Sequence, residues 1–339
     1  MEHTANRHIA VIGAGAWGTT LANLLASKGY QVRLWVRQWA LAEHIANTRV
    51  NTAYLPGIPV HPNVTPTADV AVAAQDTRQF VSVVPSHAVR TIWQRLAPLI
   101  APHAFVTSAT KGIEAESLLT MSQVLNDVIP SAKQVNIAVL SGPSFAREVS
   151  QGIPTAVVVA SSRRRVAETI QQLFNTSEFR VYTNMDVLGV ELGGALKNVM
   201  AIAAGVCDGL CFGFNARAAL ITRGLAEMAT LGVAMGAKAQ TFAGLSGMGD
   251  LVLTSTGDLS RNYAVGVQLG QDKKLQDILH HMRAVAEGVT TAASALVLSK
   301  KYQVEMPIVR QVHALLHEQM TPREAVTALM TRSLKQEDV

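Results

Sequence analysis

Two cysteines, Cys207 and Cys211, are all that 339 residues contain. That number excludes a disulfide framework, and a lone CxxxC spacing without histidine or a second cysteine pair lacks the donors of a zinc site. The pair reads as reduced cysteines in a helix, which fits a cytoplasmic protein. Aromatic residues are scarce as well, at 5%, and charged residues make up only 16%. A net charge of +5 and a pI near 9.3 invite an acidic partner. Nucleic-acid binders, however, gather Lys and Arg on one face with aromatics interleaved, and only Arg163-Arg164-Arg165 is dense here. That triplet reads as a solvated turn or helix start, so no nucleic-acid partner is expected. No run of roughly 18 apolar residues is free of charge, so no membrane span is expected. The polar start "MEHTANRH" leads straight into a strand pattern, unlike a signal peptide. No internal repeat or low-complexity tract occurs.

What is present is apolar residue in quantity, 49% hydrophobic, and enough length for two domains with a core each. "HIAVI" (8–12) reads as a buried strand, "TTLANLLASKG" as a helix stopped by Gly29, and "YQVRLWVR" as a second strand, together one βαβ unit. Further strands are expected at 80–85, 104–110, 136–143 and 155–161, separated by helical runs such as "AVRTIWQRLAPLI" and "SLLTMSQVLNDVI". This alternation predicts a doubly wound, mostly parallel α/β sheet. The Pro-rich stretch 51–64 reads as a surface insertion. Near 185–192 strand patterns give way to Ala-, Leu- and Met-rich helical ones. The expected division is a dinucleotide-binding Rossmann domain over 1–189 and an all-α substrate-binding domain over 190–339.

Gly13, Gly15 and Gly18 form GxGxxG between the first strand and first helix. The first glycine permits a tight turn, the second lets backbone approach a pyrophosphate, and the third lets helix and strand pack closely. At the tip of the second strand an NAD-selective site places a carboxylate for the ribose 2′-hydroxyl; this chain has "WVRQ", with Arg37. Arginine suits a 2′-phosphate, which favours NADP(H) and leaves NAD(H) possible.

Two lysines stand out by isolation. Lys111 is the only Lys or Arg between Arg95 and Lys133, and Lys197 the only one between Arg180 and Arg217. Lys111 follows a strand, where open α/β sheets bind ligands. Lys197 shares a helical stripe with Val190, Gly194, Ala201 and Ala204, while Leu192, Leu196, Val199 and Val206 lie towards another face. There it either finds a buried partner or snorkels its head into water. "SGPSFARE" (141–148) is either a rigid turn offering N–H groups and the Ser144 hydroxyl or a plain strand-to-helix connection. His87 either touches the nicotinamide or caps the following helix.

Taken jointly, GxGxWG, "VPSHAVR", "TKGIE", "SGPSFAREV", "LKN", "GDLVLTSTGDLSRN" and "AEGVTT" resemble the bacterial-type NAD(P)-dependent glycerol-3-phosphate dehydrogenases, in the same order from Gly13 to about Thr291. The resemblance implies reversible reduction of dihydroxyacetone phosphate to sn-glycerol 3-phosphate for glycerophospholipid synthesis, by a homodimer. It implies Lys197 as proton donor or acceptor, with Asp250 orienting it. Lys111, Gly142, Ser144, Asp250, Ser260, Arg261 and Asn262 are then expected to contact substrate. Gly13, Gly15, Ala16, Trp17, Gly18, Arg37, Lys111, Ala146, Arg261, Val285 and Glu287 are expected at the cofactor. Two departures from the family's pattern are Ser255, where many members have Cys, and Tyr263, where many have a basic residue. On this reading Lys111 lowers the pKa of Lys197, Ser260 caps a helix over 262–269 that favours an anion, and Asp258 is a turn residue. No metal is expected, because hydride chemistry resides in the cofactor. Rival readings are a reductase of ketopantoate or a 3-hydroxy acid, and a non-catalytic NADPH sensor.

Overall fold

The computed structural model describes residues 8–282, 285–334, 336 and 337. The chain divides into two compact units, the first drawn from residues up to Thr110 and from Leu119–Val187, the second from Lys111–Leu118 and from Leu188 onward.

Among its described residues the first unit holds eight strands: β1 (His8–Ile12), β2 (Gln31–Trp35), β3 (Val64–Thr67), β4 (Gln79–Ser82), β5 (Phe105–Ser108), β6 (Asn136–Ser141), β7 (Thr155–Ala160) and β8 (Phe179–Asn184). Their order across the sheet is β3-β2-β1-β4-β5-β6-β7-β8. Every pairing is parallel except β6 with β7. Between them run helices α1 (Ala16–Ser27), α2 (Trp39–Thr48), α3 (Val70–Ala74), α4 (Val89–Leu96), α5 (Met121–Val128), α6 (Ala146–Ser150) and α7 (Arg164–Phe174). The period of two along β1 shows how both faces are filled. Ile9 and Val11 join one core with Leu21 and Leu25, while Ala10 and Ile12 join a second with Trp93 and Leu96. Strands buried on both faces read as continuous apolar runs, which is why β1 is legible at once. Strand order reverses between β1 and β4, the crevice where doubly wound sheets bind ligands.

Two strands escape the sequence reading. β3 is four residues long and contains Pro66, tolerated because β3 is an edge strand. β8, the opposite edge, alternates buried and exposed residues from Phe179 to Tyr182, a weaker signal than a central strand. The insertion over 51–64 also differs from expectation. Asn51 is fully buried and its amide donates to the Ala14 carbonyl and to Thr19 Oγ1, both at 2.9 Å. With Leu55 and Val60 buried too, this segment is a buttress for the glycine loop rather than surface padding.

The second unit is helical: α8 (Val187–Gly209), α9 (Gly213–Ala234), α10 (Ala239–Phe242), α11 (Asp250–Thr256), α12 (Arg261–Gly270), α13 (Leu275–His280), α14 (Glu287–Lys301), α15 (Pro307–Leu316) and α16 (Pro322–Met330). One π turn, Leu245–Gly249, runs into α11. α8 is long and apolar enough to cross a membrane, with a mean hydropathy of 1.4, yet 89% of that stretch is buried inside the protein. The expected split of α8 into a small and a bulky face therefore matters less than anticipated, because everything from Gly189 to Cys207 is buried. Glycines set its closest crossing. A Cβ on Gly205 would lie 2.2 Å from the Tyr263 carbonyl oxygen, and one on Gly266 would lie 2.0 Å from that of Ile202, so α8 and α12 touch backbone to backbone. Cys207 is buried in α8, whereas Cys211 lies beyond its end, exposed and with φ +60°. Arg163 is the N-cap and Arg164 the first residue of α7, so the basic triplet is a helix start.

Candidate active site

In the first unit the three glycines meet three different demands. Gly13 has φ +118°, and a Cβ there would sit 2.7 Å from the Val83 carbonyl oxygen; a Cβ on Gly18 would be 1.8 Å from that of Gly13. Gly15 meets nothing within 4 Å, so the protein itself does not require its bare Cα. That open space, above the uncapped N-terminus of α1, is the shape and polarity a pyrophosphate requires. Ala16 and Trp17 open α1, with Trp17 half-buried against Phe179. The Ala146 carbonyl accepts from Thr20 Oγ1 at 3.0 Å, which ties α6 to the same helix. Arg37 is exposed just past β2, and Val36 and Gln38 beside it bring no carboxylate. Gly142 has φ +131° and a Cβ there would press on the Val157 backbone at 3.0 Å; Ser144 Oγ donates to the Gly142 carbonyl at 3.0 Å. This favours the rigid turn over a plain connection. His87 is exposed within a single 3₁₀ turn, Ser86–Ala88, ahead of α4.

In the second unit Lys197 does not snorkel. It is 7% exposed, and its Nζ donates to Asp250 Oδ1 at 2.8 Å and to the Thr254 hydroxyl. Lys111 Nζ donates to the other carboxylate oxygen, Oδ2, at 2.6 Å. One buried carboxylate, 1% exposed, thus holds two ammonium groups, Lys197 buried and Lys111 half-buried, leaving a net positive charge on the cluster. Burial would raise the pKa of Asp250, but Lys111 and Lys197 overcome it and hold the carboxyl below its ordinary range. Lys197 itself is lowered to about 8. Burial is the main cause, Asp250 opposes it, and Lys111 and then Arg261 push it further down, so the expected influence of Lys111 is real but second to desolvation. Of the three N–H bonds on Lys197 two have partners among the described residues.

Thr254 was not foreseen from sequence, although Asp250 and Thr254 stand four apart, the helical spacing that shares a face. The polar stretch 249–262 is helix, turn and helix. α11 carries Asp250 and Thr254 inward, Gly257 to Leu259 turn with Asp258 exposed, and α12 follows. Ser260 is the N-cap of α12, its Oγ accepting from the Tyr263 N–H at 3.2 Å; α12 begins at Arg261 rather than at Asn262.

The side chain of Asn262 is committed elsewhere. Buried to 8% exposure, it donates to Asn198 Oδ1 and accepts from the Gly288 N–H, both at 2.9 Å, which pins α8, α12 and α14 together. What it can offer an anion is the backbone N–H at the α12 N-terminus. Arg261 opens α12 there; burial of its guanidinium group lowers its pKa, and Glu287, the first residue of α14, opposes that. Val285 precedes α14 and is exposed. At the departure Tyr263, the phenol donates to Asp208 at 2.6 Å; at Ser255 the hydroxyl is buried.

Comparison with known proteins adds to this geometry. The profile of the NAD-dependent glycerol-3-phosphate dehydrogenase N-terminus matches residues 8–167, and that of the corresponding C-terminus matches 186–327. The chain is 55% identical to the glycerol-3-phosphate dehydrogenase [NAD(P)+] of Geobacter sp. (strain M21), with 98% of this chain and 99% of that one aligned. The crystal structure of glycerol-3-phosphate dehydrogenase from Coxiella burnetii superposes with a TM-score of 0.92 at 39% identity, covering 96% of this chain and 99% of the other. A ketopantoate reductase from Ralstonia eutropha shares the fold alone, with a TM-score of 0.59 at 16% identity over 94% of this chain and 99% of the other.

Proposed function

This chain belongs to the NAD-dependent glycerol-3-phosphate dehydrogenase family, and from that premise we propose how its residues interconvert dihydroxyacetone phosphate and sn-glycerol 3-phosphate. The observation that carries the proposal is the buried carboxylate Asp250 shared by Lys111 and Lys197. The bound nicotinamide supplies the hydride in one direction and receives it in the other. Gly13, Gly15 and Gly18 with the N-terminus of α1 hold its pyrophosphate, and Trp17 and Ala146 line the same helix. Arg37 pairs with a 2′-phosphate and makes NADP(H) the preferred form, with NAD(H) still usable.

On the substrate side, the third N–H of Lys197 donates to the ketone oxygen, stabilises the charge that develops there and gives up its proton. In the oxidative direction the neutral amine takes the alcohol proton, which a pKa of about 8 permits near neutrality. Asp250 and Thr254 fix the direction of the amine, and Lys111 keeps Asp250 ionised. Arg261 and the backbone N–H groups at the start of α12, set by the Ser260 cap, bind the phosphate. Gly142 and Ser144 are assigned to substrate, and Val285 and Glu287 to the cofactor, on the family pattern. The same pattern supports a cytosolic homodimer, and size-exclusion chromatography with light scattering measures that state.

The test is oxidation of each reduced nicotinamide with dihydroxyacetone phosphate and, separately, ketopantoate. Turnover of the phosphate ester with NADPH ahead of NADH is expected. No turnover of the phosphate ester would overturn the proposal, and turnover of ketopantoate in its place would establish the rival reductase.

A further inference from the structure

A cavity of about 600 Å³ opens in the second unit, walled by Ala203, Val206, Leu220, Val312, Leu315 and Leu329. Its size falls in the range of small-molecule pockets. Charged and amide side chains also line it, among them Arg223, Glu227, Glu305, Gln311, Arg332 and Glu337. Glu227, 7% exposed, accepts from the Ile308 and Val309 N–H groups at 2.7 and 3.3 Å, so each of its oxygens serves the N-terminus of α15. At the rim Arg332 pairs with Glu305 at 2.9 Å, so those two charges cancel locally. Gln311 is different. It lines the same cavity, its Oε1 is buried, and among the described residues that oxygen has no hydrogen-bond partner. A buried acceptor without a donor costs free energy until something supplies one.

We propose that this cavity is a binding site for a small neutral amphiphile, an alkyl body with a single hydroxyl or amide N–H, whose donor satisfies Gln311 Oε1. The apolar walls select the alkyl body. The lining charges are of both signs, Arg223 and Arg332 against Glu227, Glu305 and Glu337, and Arg223 and Arg332 both act on Glu227, so no excess of positive charge selects an anion. None of these residues belongs to the lysine–carboxylate site, so the inference stands apart from the reading of the reaction.

The probes are octanol and methyl heptyl ether, equal in heavy atoms, the second lacking a donor. Octanol should raise the thermal midpoint of the full-length protein saturably and bind about fivefold tighter than the ether, the worth of one net hydrogen bond. Gln311→Leu should remove that discrimination while keeping basal turnover, which also reports that the variant folds. Ala226→Phe, which fills the cavity, should abolish binding of both probes. Absence of saturable octanol binding to the wild-type protein, or discrimination that survives Gln311→Leu, would overturn the proposal. So would a dimer that dissociates on substitution of Met330→Asp, an exposed residue lining the same cavity, in a protein that binds no octanol, since the face would then belong to a second copy.

Discussion

Lys197 is held where either protonation state is within reach, and its pH dependence should show it. Because burial lowers its pKa to about 8, the ammonium is the dominant form below that pH and the amine above it. The kcat/KM for reduction should therefore be level at lower pH and fall through about 8, while that for oxidation should rise through the same value. Lys197→Ala should keep NADPH affinity, lose at least about a hundredfold in turnover and abolish both inflections; retained turnover would remove Lys197 from the mechanism. At Arg37 the measurement is a ratio. Arg37→Asp should shift the NADPH-to-NADH ratio of kcat/KM towards NADH, and an unchanged ratio would mean that Arg37 does not read the 2′-phosphate. At this scale, isolation on an apolar background made Lys111 and Lys197 visible in the sequence. Thr254 and the internal bonds of Asn262 were hidden, because each depends on which helices meet.

Among elements, the crossing of α8 and α12 leaves no room for a side chain. Gly205→Ala would drive a methyl group into the Tyr263 carbonyl at 2.2 Å. It should cost on the order of 2 kcal/mol and lower the thermal midpoint by roughly 5 °C, and a neutral result would mean the crossing relaxes. The N-terminus of α15 carries a second test. Burial raises the Glu227 carboxyl to about 7 against an ordinary 4.5, with the α15 N–H groups and then Arg332 and Arg223 opposing. The folded form therefore binds a proton that the unfolded form has released between these values. Stability from this group is full below about 4.5 and declines as pH rises towards 7, by roughly 3 kcal/mol at most. Denaturation of wild type and Glu227→Gln across that window should show their difference changing with pH; a constant difference would contradict the assignment. The elements themselves were largely legible, since central strands and long helices carry strong periodicity. β3 and β8 were not, because short edge strands bury one face and admit proline.

For the whole molecule, the notable feature is that the backbone leaves the first unit after Thr110, gives Lys111–Leu118 to the second, and returns. Ile113 from that segment is buried in the helical core. A fragment 188–337 should therefore fold poorly on its own, with Asp250 deprived of Lys111. Joining 111–118 to its start should raise its thermal midpoint, and calorimetry of the two fragments measures the difference. Sequence texture placed the change near 185–192 but could not show an excursion of eight residues, because nothing local distinguishes a lent segment from a loop.

The same excursion bears on inheritance. A recombinant formed by one crossover between 119 and 187 takes Lys111 from one parent and both Lys197 and Asp250 from the other. Descent by recombination thus tests the buried charge cluster as a mixed ancestry, and parents that differ around Lys111 would leave offspring with mismatched halves of a single ion network.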